Sequence, residues 1–405
     1  MDGDAKIALM SDDQSVRPDS TIYYRYEAAS RKCTKTSSGE TGALCVQFAN
    51  QISAKASGRS NLLLIFFPGI DEDIEHNLIF SKLSTGFVSR AVLAGIEYPG
   101  HGRSSGERGV LPTDILLLDM LQAIISSILS DQSCTHFALM GHSAGGLLAV
   151  LLSNVYARYM EQGFVVENRS VTFVGAILLA PALDTLVDRA FACCSCGCCC
   201  SRHCCSLLAP GWCAIHKLLQ CLVLSCGCTC ILPQETSDKY DDIGLPMSSE
   251  DKSEFQKSLA VDRMTAPAVM TLLDLMRRVQ QPTQWQTSAL TYPILMVSGT
   301  EDKAVPLKSL ASFAVARRMQ ANTLSTSDLK RPLPFQFTSS DSGSQSVFLS
   351  IPGATHHILI PGIPINISNG THDAVDTCVL PTIVNWVDAV LHYREQNQGI
   401  NSFQA

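Results

Sequence analysis

Three short stretches of this sequence carry side chains that can share one reaction. "MGHSAGG" at 140–146 sets Ser143 between Gly141 and Gly145, directly after the β-prone run "THFALM". A G-x-S-x-G spacing where a strand turns into a helix holds a serine hydroxyl exposed above the end of a sheet. "ILMVSGTEDKAVP" puts Glu301 and Asp302 just past an apolar run, and "SVFLSIPGATHH" ends another run in His356 and His357. A serine becomes a nucleophile when an imidazole takes its proton and a carboxylate orients that imidazole. The chain order serine, acid, histidine fits acyl transfer through such a turn. On residue types alone, either acid and either histidine fills its role.

Those side chains meet only if the segments before them are neighbouring strands. "NLLLIFFPG" at 61–69 is a continuous apolar run, the pattern of a strand buried on both faces of a parallel sheet. "GIEYPGHGRS" and "SVTFVGAILLAPAL" read the same way. Between them, "TDILLLDMLQAIISSIL" has helical length and a Thr113/Asp114 start signal, and "VLPTIVNWVDAVLHYREQ" predicts a terminal helix. Strands alternating with helices predict an α/β chain with a mostly parallel sheet covered on both faces. Acids at the carboxyl end of such a strand stand where a crevice forms. Near the start, "TIYYRYEAA" and "ALCVQFANQI" flank a Ser/Thr/Lys-rich stretch and predict a hairpin.

Composition narrows the class. The 405 residues suffice for one large domain with insertions, and a formal charge of −7 with 17% charged residues is an ordinary globular balance. No basic patch or nucleic-acid motif is found, which argues against nucleic-acid partners. The start "MDGDAKIALMSDDQ" lacks the features of a secretory signal, and Asp2 excludes N-myristoylation. A reducing, cytoplasmic setting is therefore expected, which argues against a disulfide framework and gives the sequons at Asn168, Asn366 and Asn369 little weight. Of 17 cysteines, 13 fall between Cys193 and Cys230. From 190 to 234 only Arg202 and Lys217 are charged. That stretch is interrupted by His216, Lys217 and Gln220, and falls short of the ~18 apolar residues of a spanning helix. It reads as a surface lying on a membrane or a greasy lid, with its cysteines candidates for S-palmitoylation. An unmodified cluster and a soft-metal site, at the Cys193/Cys196/Cys199 intervals, are the alternatives.

"GHSAGG", "EYPGHGRSSGERG", "VSGTEDKAVP" and "IPGATHH" together resemble the α/β-hydrolases that include monoacylglycerol lipases, lysophospholipases and the S33 serine aminopeptidases. The resemblance runs from about 21 to 392. It implies an α/β-hydrolase fold with a cap insertion. The nucleophile falls on Ser143 and the acid on Asp302, because Gly299, Val305 and Pro306 match G-x-x-D-x-x-V-P. The histidine of G-A-x-H falls on His356, with Glu301 and His357 as rivals one residue away. The oxyanion donors fall on the backbone N–H groups of Ala144 and Ile70. In the second donor's turn, "PGIDE" has Pro68 where the family has histidine, while Gly69 and Glu72 match. Glu97 stands for the usual aspartate of D-x-x-G-H-G-x-S, and His101 and His142 read as packing residues.

The expected division is 1–183, first part of the core with the N-terminal hairpin; 184–267, cysteine-rich cap; and 268–405, second part of the core, with a polar surface loop near 321–346. The expected activity is serine ester hydrolysis of a lipid-like monoacyl substrate, a monoacylglycerol or lysophospholipid. No cofactor or metal is required, and the cap makes peripheral membrane contact. A depalmitoylating thioesterase and a non-catalytic lipid- or partner-binding protein are the alternatives.

Overall fold

Apolar runs without polar interruption need cover on both faces, and the centre of this molecule supplies it. The computed structural model describes residues 20–38, 40–51, 61–70, 72–183, 265–281, 292–302, 304–305, 307–325, 328–335, 337, 345–356, 358–359, 364–367 and 370–401. The strands are β1 (Ser20–Glu27), β2 (Lys32–Thr36), β3 (Ala43–Ala49), β4 (Leu62–Phe67), β5 (Val92–Ile96), β6 (His136–His142), β7 (Phe164–Val166), β8 (Arg169–Leu179), β9 (Ile294–Gly299), β10 (Gln320–Thr323), β11 (Val347–Ile351), β12 (Pro364–Ile367) and β13 (Gly370–Asp373). One sheet runs β10-β11-β9-β8-β6-β4-β5-β3-β1-β2, with β7 beside β8. From β10 through to β5 every neighbour along that order is parallel. The family-like α/β-hydrolase arrangement expected from the motifs is therefore present in the core.

Every residue of β4, β5, β6, β9 and β11 is buried. Successive side chains of a strand point to opposite faces, so one run feeds two cores. Leu63, Ile65 and Phe67 enter one core while Leu62, Leu64 and Phe66 enter the other. Each such side chain contributes about 1.5–3 kcal/mol by leaving water.

Helices close both faces. These are α1 (Leu78–Gly86), α2 (Asp114–Asp131), α3 (Ala144–Tyr156), α4 (Ala266–Gln280), α5 (Leu307–Ala316) and α6 (Leu380–Asn401). α2, α3, α4 and α5 supply the first core, α1 and α6 the second. Thr113 caps α2 by accepting the Leu116 N–H, as its start signal implied. Thr265 caps α4 in the same way through the Ala268 N–H.

Two expectations need correction. The stretch between β1 and β3 is not a simple turn: β2 forms within it and pairs antiparallel with β1, which pairs antiparallel with β3 on its other side. The polar segment after 320 is not all surface loop either. β10 pairs in parallel with β11, and Leu324 and Leu329 are buried. In both places tertiary pairing overrides a polar local composition. The cysteine-rich stretch 193–230 lies outside the described residues, as does all of the expected cap up to 264. Among the described residues no helix is long and apolar enough to cross a membrane.

Trp386 of α6 is buried in the second core, and its indole Nε1 donates to the Gln345 carbonyl at 3.3 Å. Trp386→Ala is expected to cost about 3–5 kcal/mol, read as a lower urea midpoint at unchanged slope.

Candidate active site

β6 delivers its last residue, His142, to the carboxyl edge of the sheet, and α3 begins two residues later. The joint is Ser143, with φ 53° and ψ −118°. A non-glycine residue is rarely held there, and such a conformation costs about 1–3 kcal/mol unless its surroundings impose it. Here they do. The Ser143 N–H donates to the Leu179 carbonyl at 2.9 Å, and its own carbonyl accepts from Ala182 at 2.9 Å and Gly146 at 3.0 Å. The flanking glycines are required by close approach. A Cβ on Gly141 would stand 2.1 Å from the Gly145 carbonyl oxygen, and one on Gly145 would stand 2.0 Å from that of Phe67.

The acid and the histidine come from adjacent parallel strands, β9 and β11. Their turns are stitched together: Thr300 N–H donates to the Ile351 carbonyl at 3.0 Å, Glu301 N–H to that of Ala354 at 2.9 Å, and Gly353 N–H to the Thr300 hydroxyl at 2.9 Å. Asp302 then reaches His356, with Oδ2 2.9 Å from Nδ1. Its Oδ1 accepts the backbone N–H groups of Ala304 at 2.9 Å and Val305 at 2.8 Å. The Asp302 side chain is fully shielded from solvent, at 0% exposure. A proton shared at Nδ1 leaves Nε2 as the basic nitrogen. Glu301 is exposed and meets this turn through its backbone N–H. The geometry pairs Asp302, and not Glu301, with His356; His357 lies outside the described residues. The His356 ring sits 4.9 Å, centroid to centroid, from the ring of His142, the residue before Ser143.

Beyond β4 the "PGIDE" turn is held from two sides. The Tyr98 hydroxyl donates to the Pro68 carbonyl at 2.6 Å. Glu72 Oε2 accepts both the Gly69 N–H and the Asn77 side-chain amide at 2.7 Å. A backbone carbonyl and a glutamate thus shape the turn, and neither contact needs a histidine at position 68. Ile70 sits in this turn, and Ala144 opens α3 with its N–H in the unbonded first turn. Oxyanion donors are backbone groups of this kind.

Nearby polar residues serve the loops. Glu97, fully buried, accepts from Gln47 Nε2 at 2.9 Å, Ile74 N–H at 3.2 Å and Arg103 N–H at 2.6 Å. Burial pushes its carboxyl above the usual range against those hydrogen bonds. His101 is buried edge-on to Tyr98, with Nδ1 2.9 Å from the Pro99 carbonyl, in keeping with a packing role. The sequence marks Glu72 only as a matching position of the Gly69 turn, and the structure makes its carboxylate the centre of that turn. Its position three residues after Gly69, just past a buried strand, is the signal that marked it.

A family model described as serine aminopeptidase S33 matches residues 74–328, well over half of the 405. The chain belongs to this family. It is a serine hydrolase with the α/β-hydrolase fold. Ser143 and Asp302 fall inside the matched residues, and His356 lies beyond them. Solved structures resemble this S33 member across most of their length. A soluble variant of monoglyceride lipase from Saccharomyces cerevisiae, in complex with a substrate analog, is 12% identical with a TM-score of 0.50, covering 86% of this chain and 92% of that one. DcsB in complex with its substrate analogue is 12% identical with a TM-score of 0.51, covering 91% and 98%. The monoacylglycerol lipase of Paleococcus ferrophilus is 15% identical with a TM-score of 0.47, covering 77% and 90%. No curated protein sequence matches the chain.

Among the described residues of this S33 chain, no group of three or more His, Cys, Asp or Glu side chains is placed to hold a metal ion. Cys45, Cys134 and Cys378 are buried and Cys33 is half-buried. Burial pushes the thiols of Cys134 up to about 11 and Cys33 up to about 12, so both stay protonated and unreactive. Gly299 decides how closely the acid and histidine turns approach, since a Cβ there would stand 2.0 Å from the Ala354 carbonyl oxygen. Gly299→Ala is expected to cost about 1–3 kcal/mol of stability and to depress ester turnover in the fraction that stays folded. Thermal denaturation and rate per folded molecule check the two effects separately.

Proposed function

We propose that this S33 chain is a serine ester hydrolase acting on lipid-like monoacyl substrates, monoacylglycerols or lysophospholipids. The observation that carries it is the 2.9 Å contact between the shielded Asp302 carboxylate and His356, beside the strained turn at Ser143. His356 takes the Ser143 proton through Nε2 as the hydroxyl oxygen attacks the ester carbonyl carbon. Asp302 holds the ring in that tautomer and steadies the imidazolium. The backbone N–H groups of Ile70 and Ala144 receive the developing oxyanion, where one donor is worth about 100- to 1000-fold in turnover. His356 then returns the proton to the leaving alcohol, and water repeats the attack on the acyl-enzyme. No cofactor takes part.

The substrate class draws support from the monoglyceride lipase whose fold this chain shares and from the apolar composition of 190–234. In this reading 184–267 forms a cap over the acyl-binding slot, between core segments 1–183 and 268–405. The cap rests on the cytoplasmic side of a membrane, held by acyl chains on cysteines within 193–230. One acyl chain binds only marginally, so a durable attachment uses several.

A fluorophosphonate probe is expected to label the protein, and Ser143→Ala to abolish labelling. Asp302→Asn is expected to lower turnover by about 10⁴-fold at unchanged unfolding midpoint, while Glu301→Gln leaves turnover as it was. Ser143-dependent rates across monoacylglycerols, lysophospholipids, acyl-thioesters and aminoacyl amides then set the substrate. Preference for acyl-thioesters would replace this reading with protein depalmitoylation, and absence of labelling would replace it with lipid or partner binding. Hydroxylamine-sensitive acyl exchange confined to 193–230 tests the membrane attachment.

A further inference from the structure

His142 is almost wholly inaccessible, at 1% exposure, yet both of its ring nitrogens face oxygen atoms. Nδ1 lies 3.0 Å from Glu72 Oε1, and Nε2 lies 3.1 Å from the backbone carbonyl oxygen of His356. A carbonyl oxygen only accepts, and an ionised carboxylate only accepts. A neutral imidazole owns a single N–H, so either tautomer would press a nitrogen lone pair against an oxygen lone pair. With Glu72 ionised, only the imidazolium presents a proton at each nitrogen, donating from Nε2 to the His356 carbonyl and forming an ion pair with Glu72 at Nδ1.

We propose that His142 is a buried imidazolium which, paired with Glu72, clamps together the oxyanion turn and the backbone of His356. Glu72 spends Oε2 on the Gly69 N–H and the Asn77 amide, leaving Oε1 for His142. His142 passes the constraint to the His356 carbonyl, while Asp302 fixes the same residue at its ring. His356 is therefore held at both ends, and the turn carrying Ile70 is tied to the same pair of charges. Neither Glu72 nor His142 touches a reacting atom. Both are positioning residues, and this role rests on the catalytic reading of Ser143 and His356, whereas the charge state of His142 does not.

Charge balance agrees with the geometry. Burial is the strongest single influence on His142 and works against protonation. The Glu72 carboxylate, the His356 carbonyl and the Asp302 carboxylate outweigh it, so the ring holds its proton above the ordinary imidazole value. The titratable groups around it are Glu72 from the turn after β4, Asp302 from the turn after β9 and His356 from the turn after β11, with Tyr98 close to Glu72. A raised value means that the clamp is intact below it and is lost as pH rises through it.

The test uses the full-length protein with ¹⁵N-labelled histidine ring nitrogens. At about pH 8, above the ordinary value of a free imidazole, one histidine is expected to carry protons on both nitrogens. His142→Gln should remove that signal, and Glu72→Gln should convert it to a singly protonated ring. Glu72→Gln is also expected to lower kcat by about 100-fold, the order of loss for a misplaced catalytic group, with KM nearly unchanged. Its activity should lack the alkaline limb that deprotonation of His142 gives the parent. A singly protonated His142 in the parent protein at that pH would overturn the proposal, and needs no variant to fold. A doubly protonated ring with unaltered kcat in Glu72→Gln would overturn the positioning role. Failure of the catalytic reading shows differently, as an unlabelled Ser143 in the parent protein.

Discussion

The contact between Asp302 and His356 depends on two parallel strands lying side by side with their carboxyl ends level. A carboxylate taken out of water is tolerated only when its oxygens are satisfied. Asp302 meets that condition with two backbone N–H groups on one oxygen and the imidazole on the other. The register of β9 against β11, which sets Gly299 opposite Ile351, brings the two turns to the same height. The cross-turn hydrogen bonds then lock them. Every other feature of the site is arranged around that fixed pair.

The same solution recurs along the rim. Glu97 and Glu72 are carboxylates used as loop scaffolds, each collecting N–H groups from segments that would otherwise diverge. The strands beneath are buried on both faces, so these carboxylates stand where the strands end and backbone N–H groups come free of the sheet. Polar side chains that must act together are thus concentrated where the strands stop, which is where ligands bind in open parallel sheets. Strain at Ser143 is sustained by the same crowding. Gly145 lets α3 close on the end of β4, and the hydrogen bonds to Leu179 and Ala182 leave the serine backbone no easier conformation.

Much of this was readable before any coordinates. Continuous apolar runs announced the central strands, the Thr113 signal placed the start of α2, and G-x-S-x-G marked the elbow. The polar edges were less legible. β2 and β10 are short, partly exposed strands whose residues carry no strong local preference, and they form because a neighbouring strand offers hydrogen bonds. Side-chain networks were harder still. His142 read as packing and Glu72 as a matching motif position, and their contact across 70 residues has no local signature.

The order of amino acids sufficed to specify a parallel sheet, the strained serine turn and the short list of acids and histidines able to serve it. Those follow from periodicity, glycine spacing and chain order, which are local. The shielding of Asp302 with Glu301 left facing water, and the joining of the Gly69 turn to His356 through His142, were decided in three dimensions. Adjacent residues of one turn differ little in chemistry, and only the packing of β9 against β11 determines which of them is shielded and which faces water.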